Sequence, residues 1–344
     1  MLGVWRVVIL ITVAIAAISS AAATAAASER AAASGGRTAG SHLKVTATIP
    51  VGRKPFGIAA DPRTKRIYVA SFGSGTLSVI SARTDTVLAR VRVGRIPVGV
   101  ADDPRTNTIY VTNEGSGTLS VISGRTDTVT ATIRVGHSPY GVAADPRTNT
   151  IYVTNLFRRT VTVISGRTDT VTATIRVGRF PVGVAADPRT GRIYITQGSN
   201  TIPVISDRTN TVIARVRVPF RAALAVATDP RTDTIYATNP LGRAVAVISG
   251  RTDTVTATVH GGFQAAFGIA TDPRTNTIYL ADGADKTWVI SGRTDTVVAT
   301  IRVGSEPLGV ATDPQAKAIY VTNNGDNTVT VLTSCHERQA ARCR

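Results

Sequence analysis

The strongest constraint on this chain is a repeat. Asp-Pro pairs stand at Asp61, Asp103, Asp145, Asp187, Asp229, Asp272 and Asp313, at steps of 42, 42, 42, 42, 43 and 41 residues. A period this regular means that one supersecondary unit is stacked seven times, and it outweighs any local propensity. One copy, from Pro97 to Val135, holds four short β-rich runs: Pro97–Ala101, Ile109–Asn113, Thr118–Ile122 and Thr128–Val135. Turn formers separate them: Asp-Pro-Arg-Thr-Asn, then Glu-Gly-Ser-Gly, then Ser-Gly-Arg-Thr-Asp. Nothing in the unit has a 3.6-residue period with room for a helix.

The fourth run alternates Val129, Ala131, Ile133 and Val135 with Thr128, Thr130, Thr132 and Arg134, the pattern of an outer strand with one solvated face. The first run, Gly-Val-Ala-rich, is built of small residues, as crowding around an axis requires. Seven four-stranded antiparallel units predict an all-β, seven-bladed β-propeller over residues 45–334. The ends of the repeat support a closed ring. The last copy lacks its fourth run, while Val45-Thr46-Ala47-Thr48-Ile49 stands alone before the first copy and matches Val129–Ile133 residue for residue. The strand at residues 45–49 therefore completes the last blade, a permutation for which an open solenoid has no use.

Tyr-Val-Thr-Asn occurs intact at Tyr110–Asn113, Tyr152–Asn155 and Tyr320–Asn323, with variants beginning at Tyr68, Tyr194, Tyr236 and Tyr279. In this the chain resembles the YVTN-repeat β-propeller family, which includes YncE-like exported bacterial proteins and archaeal surface-layer proteins. The resemblance implies the same fold and a binding or cell-surface role, with nucleic acid as the ligand attributed to one periplasmic relative and no reaction in common. Related propellers hold copper or haem through clustered histidines that this sequence does not possess.

Residues 1–27 read as a signal peptide, with an apolar run from Val7 to Ile18 and a cleavage site at Ala25-Ala26-Ala27; the alternative is an uncleaved membrane anchor. Residues 28–44 read as a flexible linker and 335–344 as a basic tail. Cys335 and Cys343 form a small disulfide loop in this reading, with two independent thiols as the alternative. The expected location is secreted or on the extracytoplasmic cell surface, and the expected state a monomer.

The net charge of +17 comes from 39 basic and 22 acidic residues, and only five of the basic residues are lysine. Such a guanidinium excess favours polyanionic partners. Four His, two Cys and one Met leave little for a transition-metal centre or haem, so no cofactor, no metal site and no catalytic residue are expected.

Up-and-down blades sort the loops onto two faces. One receives the Asp-Pro-Arg-Thr and Arg-Thr-Asp-Thr turns with their twelve arginines, read as a repeating lattice of local ion pairs, or else as a polyanion collar. The other receives the second turn of each blade and the links between blades, and it varies from copy to copy, as a binding surface should. Candidate ligand-binding residues there are Arg53, Lys54, Arg95, His137, Tyr140, Phe157, Arg158, Arg159, Arg179, Arg221 and Arg243, with Phe180 and Phe220 among the arginines. Phosphate contact with stacking on a base or sugar suits this mixture. The seven repeated tyrosines are read as packing between blades, and Asn113, Asn155, Asn239 and Asn323 as turn formers rather than a metal-holding ring.

The resulting expectation is an exported, non-enzymatic propeller that binds an anionic ligand, nucleic acid or a cell-envelope polymer, through its variable face. A structural or protein-binding surface module is the second reading. A metal-assisted lactonase or lyase is the third.

Overall fold

Strand-forming Val, Ile, Thr and Tyr recur in runs of four to eight residues, and in the computed structural model these runs form seven four-stranded antiparallel sheets arranged as a seven-bladed β-propeller. The structure describes residues 43–241 and 243–334. The signal peptide, most of the linker, and the tail with Cys335 and Cys343 lie outside the described residues. Blade 1 is typical: inner strand Pro55–Asp61, second strand Arg66–Ser71, third strand Thr76–Ser81 and outer strand Thr86–Arg92.

Blade 7 is assembled from both ends of the repeat. Its inner three strands are Pro307–Asp313, Ala318–Asn323 and Thr328–Ser334, and its outer strand is Leu43–Pro50. The register pairs Leu43 with Ser334, Val45 with Leu332 and Ile49 with Val329. The closing strand begins two residues before the expected start, so Leu43 and Lys44 belong to the sheet and not to the linker. Because Leu43 and Ser334 are opposite each other, the chain enters and leaves the disc on the face that carries the Asp-Pro turns.

The core is divided into wedges, one between each pair of neighbouring blades. Between blades 1 and 2, Tyr68, Leu77 and Val79 meet Ile109, Val111 and Ile122. Between blades 7 and 1, Ile49, Tyr320 and Val331 meet Ile67, Val69 and Ile80. The joint that closes the ring is thus built like the others. All seven repeated tyrosines are buried in these wedges, which is the packing role expected of them.

Near the axis the blades are fastened by the threonine of Tyr-Val-Thr-Asn. Thr112 accepts a hydrogen bond from Gly99 N in its own blade (2.8 Å) and donates to Tyr140 O in the next (2.6 Å). Thr154 repeats this with Gly141 N and Val182 O, Thr196 with Gly183 N and Leu224 O, and Thr322 with Gly309 N and Phe56 O. The glycine is what lets the strands come this close. A Cβ at Gly99 would lie 2.5 Å from Tyr140 O, and one at Gly183 2.7 Å from Leu224 O, a collision with backbone that no rotamer relieves. Blade 5 has Ala225 at this position, and there the inner strand is cut to Val226–Asp229.

Replacing Thr154 by valine keeps its shape and removes the hydroxyl that serves two inner-strand backbone groups. Chemical denaturation should show a loss of about 1–3 kcal/mol, and Gly141→Ala should cost more. Deleting residues 45–49 should lower the thermal midpoint far more than either, because it opens the joint that closes the ring; an unchanged midpoint would contradict closure.

Candidate functional site

On the Asp-Pro face the aspartates and several arginines are engaged in structure, while Arg63, Arg125, Arg167, Arg208, Arg251 and Arg293 are exposed and make no ion pair among the described residues. Each of the seven aspartates folds its own turn: Asp61 Oδ1 accepts Arg63 N (2.9 Å) and its Oδ2 accepts the Thr64 hydroxyl (2.6 Å), and Asp103, Asp145, Asp187, Asp229, Asp272 and Asp313 each accept the backbone N–H two residues on. This is the Asx-turn that lets a short polar side chain replace a backbone partner. These carboxylates are therefore tied to their own turn backbones rather than clasped by the turn arginines. Several guanidinium groups instead reach the next blade. Arg105 donates to Pro146 O, Arg231 to Pro273 O and Arg274 to Pro314 O, while Arg147 pairs with Asp207 and Arg189 with Asp233. The lattice of ion pairs expected from the sequence is in fact a mixture of inter-blade ion pairs and arginine-to-carbonyl clasps.

The opposite face is built differently. Five links share the form Gly-x-x-Pro, and the residue before proline is left-handed in each: Lys54, Ile96, Ser138, Phe180 and Glu306, with φ between 50° and 54°. For β-branched Ile96 that conformation is an outlier. It is held because the link pairs with the second turn of the blade it enters. Ile96 O accepts Glu114 N (2.8 Å), Arg95 O accepts Gly115 N (3.0 Å), and Arg95 N donates to the Ser116 hydroxyl (2.7 Å). The side chains of these loops are thus displayed from a fixed backbone.

Arg53, Lys54, Arg95, His137, Arg158, Arg159, Arg179, Arg221 and Arg243 are all exposed on this face. Arg53 donates to Gly73 O, and Lys54 approaches Glu306 at 3.8 Å. Arg95, Arg158, Arg159, Arg179, Arg221 and Arg243 make no ion pair among the described residues. The fold adds a row from the solvated face of the outer strands. Arg92, Arg134, Arg176 and Arg217 end the outer strands of blades 1 to 4 at this same face, and all four are exposed. Blades 1 to 5 therefore present an arc of cations in which Glu114 is the one loop carboxylate. Burial raises the Glu114 pKa. The acids of blades 6 and 7 are engaged: Asp282 accepts Gln264 N, Ala265 N and the Trp288 indole, Asp285 accepts Glu306 N, and Asp326 accepts Ser305 N.

Tyr140 departs from expectation. It belongs to the inner strand Pro139–Asp145 rather than the link, is buried, and packs edge-on against Phe56 with ring centroids 5.8 Å apart. Phe220 is also buried, within the wedge between blades 4 and 5. Phe157 is half-buried and supports the edge of exposed Phe180 at 6.2 Å, so this pair supplies the aromatic surface within the arc. Three of the asparagines donate to the third strand of their own blades, while the Oδ1 atoms of Asn155 and Asn323 are buried without a partner. Asn113 Nδ2 donates to Thr118 and Ser120 while its Oδ1 accepts Gly94 N, and Asn155 and Asn323 bond in the same way to the third strand.

The axis itself is lined by three residues from each blade, such as Phe56-Gly57-Ile58 and Val182-Gly183-Val184, around a cavity of about 180 Å³. Its wall carries no carboxylate, imidazole or cationic side chain among the described residues. One acid stands near the other end of the inner strands. Blade 2 reads Ala101-Asp102-Asp103, where the other blades have Ala or Thr in the middle position. Burial first, and then the carboxylates of Asp61 and Asp103, push the Asp102 pKa from 3.8 up to about 8, and its Oδ1 is buried without a hydrogen-bond partner. At the equivalent position Thr228 donates to Ala186 O, Thr271 to Thr228 O and Thr312 to Thr271 O. A protonated Asp102 supplies the same kind of O–H.

No family model and no curated protein matches the chain. Among solved structures it is similar to a chain of Kuenenia stuttgartiensis hydrazine synthase, with a TM-score of 0.74 and 20% sequence identity over 87% of this chain and 99% of that one. At this identity the likeness speaks for the propeller fold alone.

Asp102 makes stability depend on pH. Its raised folded pKa means that the folded chain keeps a proton the unfolded chain has released, so stability should fall as pH rises from about 4 to about 8. Thermal midpoints measured across that range should flatten in Asp102→Asn, and an identical slope in the variant would contradict the assignment.

Proposed function

We propose that this chain is a divergent YVTN-repeat propeller that acts outside the cytoplasm as a non-enzymatic binding disc, capturing an extended polyanion on its variable face. The observation that carries this reading is the arc of exposed cations over blades 1 to 5, six of whose arginines (Arg95, Arg158, Arg159, Arg179, Arg221 and Arg243) make no ion pair among the described residues. Arginine suits the task because its planar fork grips phosphate or carboxylate oxygens with two parallel bonds. The Gly-x-x-Pro links hold several of these side chains on a fixed backbone, which reduces the ordering cost of binding. Phe180, 45% exposed and braced by Phe157, adds a surface for a base or sugar ring. The chain enters and leaves on the opposite face, so a tether through the N-terminal segment would leave the arc facing outward.

A protein-binding role is the second reading, favoured by exposed Leu241, 68% accessible, beside Arg243 on blade 5. An enzymatic reading finds less support, because the side chains that line the axis are apolar.

Anisotropy titrations with labelled single-stranded DNA and with polyphosphate test the proposal. The logarithm of affinity should fall linearly with the logarithm of salt concentration. Reversing both Arg158 and Arg159 to glutamate should weaken binding by roughly tenfold or more and make the slope shallower by about one to two. Salt-independent affinity would rule out capture led by anionic groups. Equal binding by the reversal variant would move the site off blade 3.

A further inference from the structure

The axial cavity has a chemistry unlike the arc around it. Its wall is a stack of three apolar layers. Phe56, Tyr140 and Phe267 belong to the layer at the variable face, the glycines form the middle layer, and Ile58, Val184 and Val310 belong to the third. Inner strands of a propeller would ordinarily offer backbone N–H and C=O groups to the axis, and a cavity so lined would fill with water. The threonine fastenings take up backbone groups on the sides of the inner strands turned toward the second strands, and what faces the axis is mostly apolar side chain. The N–H groups of Gly99, Gly141, Gly183 and Gly309 donate to threonine hydroxyls, and the carbonyls of Tyr140, Val182, Leu224 and Phe56 accept from them. At two joints Ala70 and Ala281 replace the threonine, so the carbonyls of Val98 and Leu308 lack that donor.

The space of about 180 Å³ opens to solvent, and it is large enough for one aromatic ring, since a sealed apolar cavity of about 150 Å³ takes benzene. A charged guest is excluded, because the wall offers no counter-ion and burying an unpaired charge is prohibitive. Water gains little, because it needs two to four polar partners. The aromatic edges of Phe56, which meets both Phe72 and Tyr140 edge-on, favour a flat ring as the guest.

We infer that the axial cavity is a second binding site, separate from the cationic arc, for a small uncharged molecule of about one aromatic ring bearing at most one hydroxyl. The guest is held by apolar contact with the side chains of the wall. Binding here is indifferent to salt, in contrast to binding on the arc.

Toluene and phenol are suitable probes, with benzoate as the charged counterpart of the same size. In the full-length protein, methyl resonances of Ile58, Val184 and Val310 should shift saturably with toluene and with phenol, while those of exposed Leu88 and Val298 stay in place. Benzoate should move none of them, and the toluene affinity should be the same at low and high salt. Val184→Phe, which fills part of the space, should abolish the saturable shifts; if that variant does not fold, the wild-type shift map decides alone. The inference is overturned if toluene gives no saturable shift up to its solubility limit, if the shifts centre on Leu88 and Val298, if benzoate binds as well as toluene, or if folded Val184→Phe binds unchanged. Because the arc is tested with polyanions and charge reversal, either proposal can fail without the other.

Discussion

The rest of the structure depends on how closely the inner strands approach one another around the axis. A glycine without a Cβ brings each backbone within reach of its neighbour, and one threonine hydroxyl then satisfies a donor in its own blade and an acceptor in the next. An inner strand has no sheet neighbour on its axial side, so its polar groups would otherwise depend on water. The motif solves that problem with a single side chain. Blade 5 illustrates the dependence, since Ala225 at the glycine position goes with an inner strand of four residues instead of seven.

From that arrangement follows a division of labour. Positions that recur from copy to copy are engaged in holding the disc: tyrosine in the wedges, asparagine bonded to the third strand in blades 2, 3 and 7, aspartate folding the turn, and several turn arginines clasping the next blade. Positions that vary are released from those tasks, and they fall on the face where the links pair with the second turns. Exposed arginines without an ion pair stand on both faces; on the Asp-Pro side they alternate with the repeated turn aspartates, whereas on the variable side of blades 1 to 5 Glu114 is the one loop carboxylate.

Much of this was legible in the sequence, since period, motif and the displaced strand at residues 45–49 are all local patterns. The ring, the packing of the tyrosines and the assignment of loops to faces needed nothing more. What escaped depends on the angle between blades. The reach of Arg105 to Pro146 O cannot be inferred from a single repeat, and it replaced the expected pairing with a neighbouring aspartate. Tyr140 was misplaced in a link although Phe56, Val98 and Val182 follow proline in the same way in other copies; aligning the copies at proline would have put it on the inner strand. Asp102 was visible as a departure from Ala-Ala-Asp and Ala-Thr-Asp, but its raised pKa comes from the neighbouring blade's Asp61 as well as from burial. The apolar lining of the axis was less visible, because it is assembled from three residues of every blade.

The most direct measurement of the central claim is native-state amide hydrogen exchange at the axial glycines. Gly99, Gly141, Gly183 and Gly309 donate to threonine hydroxyls, whereas Gly57 faces Ala70, which has no hydroxyl to offer. The account predicts that the four fastened amides exchange only when the whole disc unfolds, and that Gly57 exchanges markedly faster through local opening. Protection of Gly57 equal to that of the other four would contradict the claim that the threonine bridge holds the inner strands together.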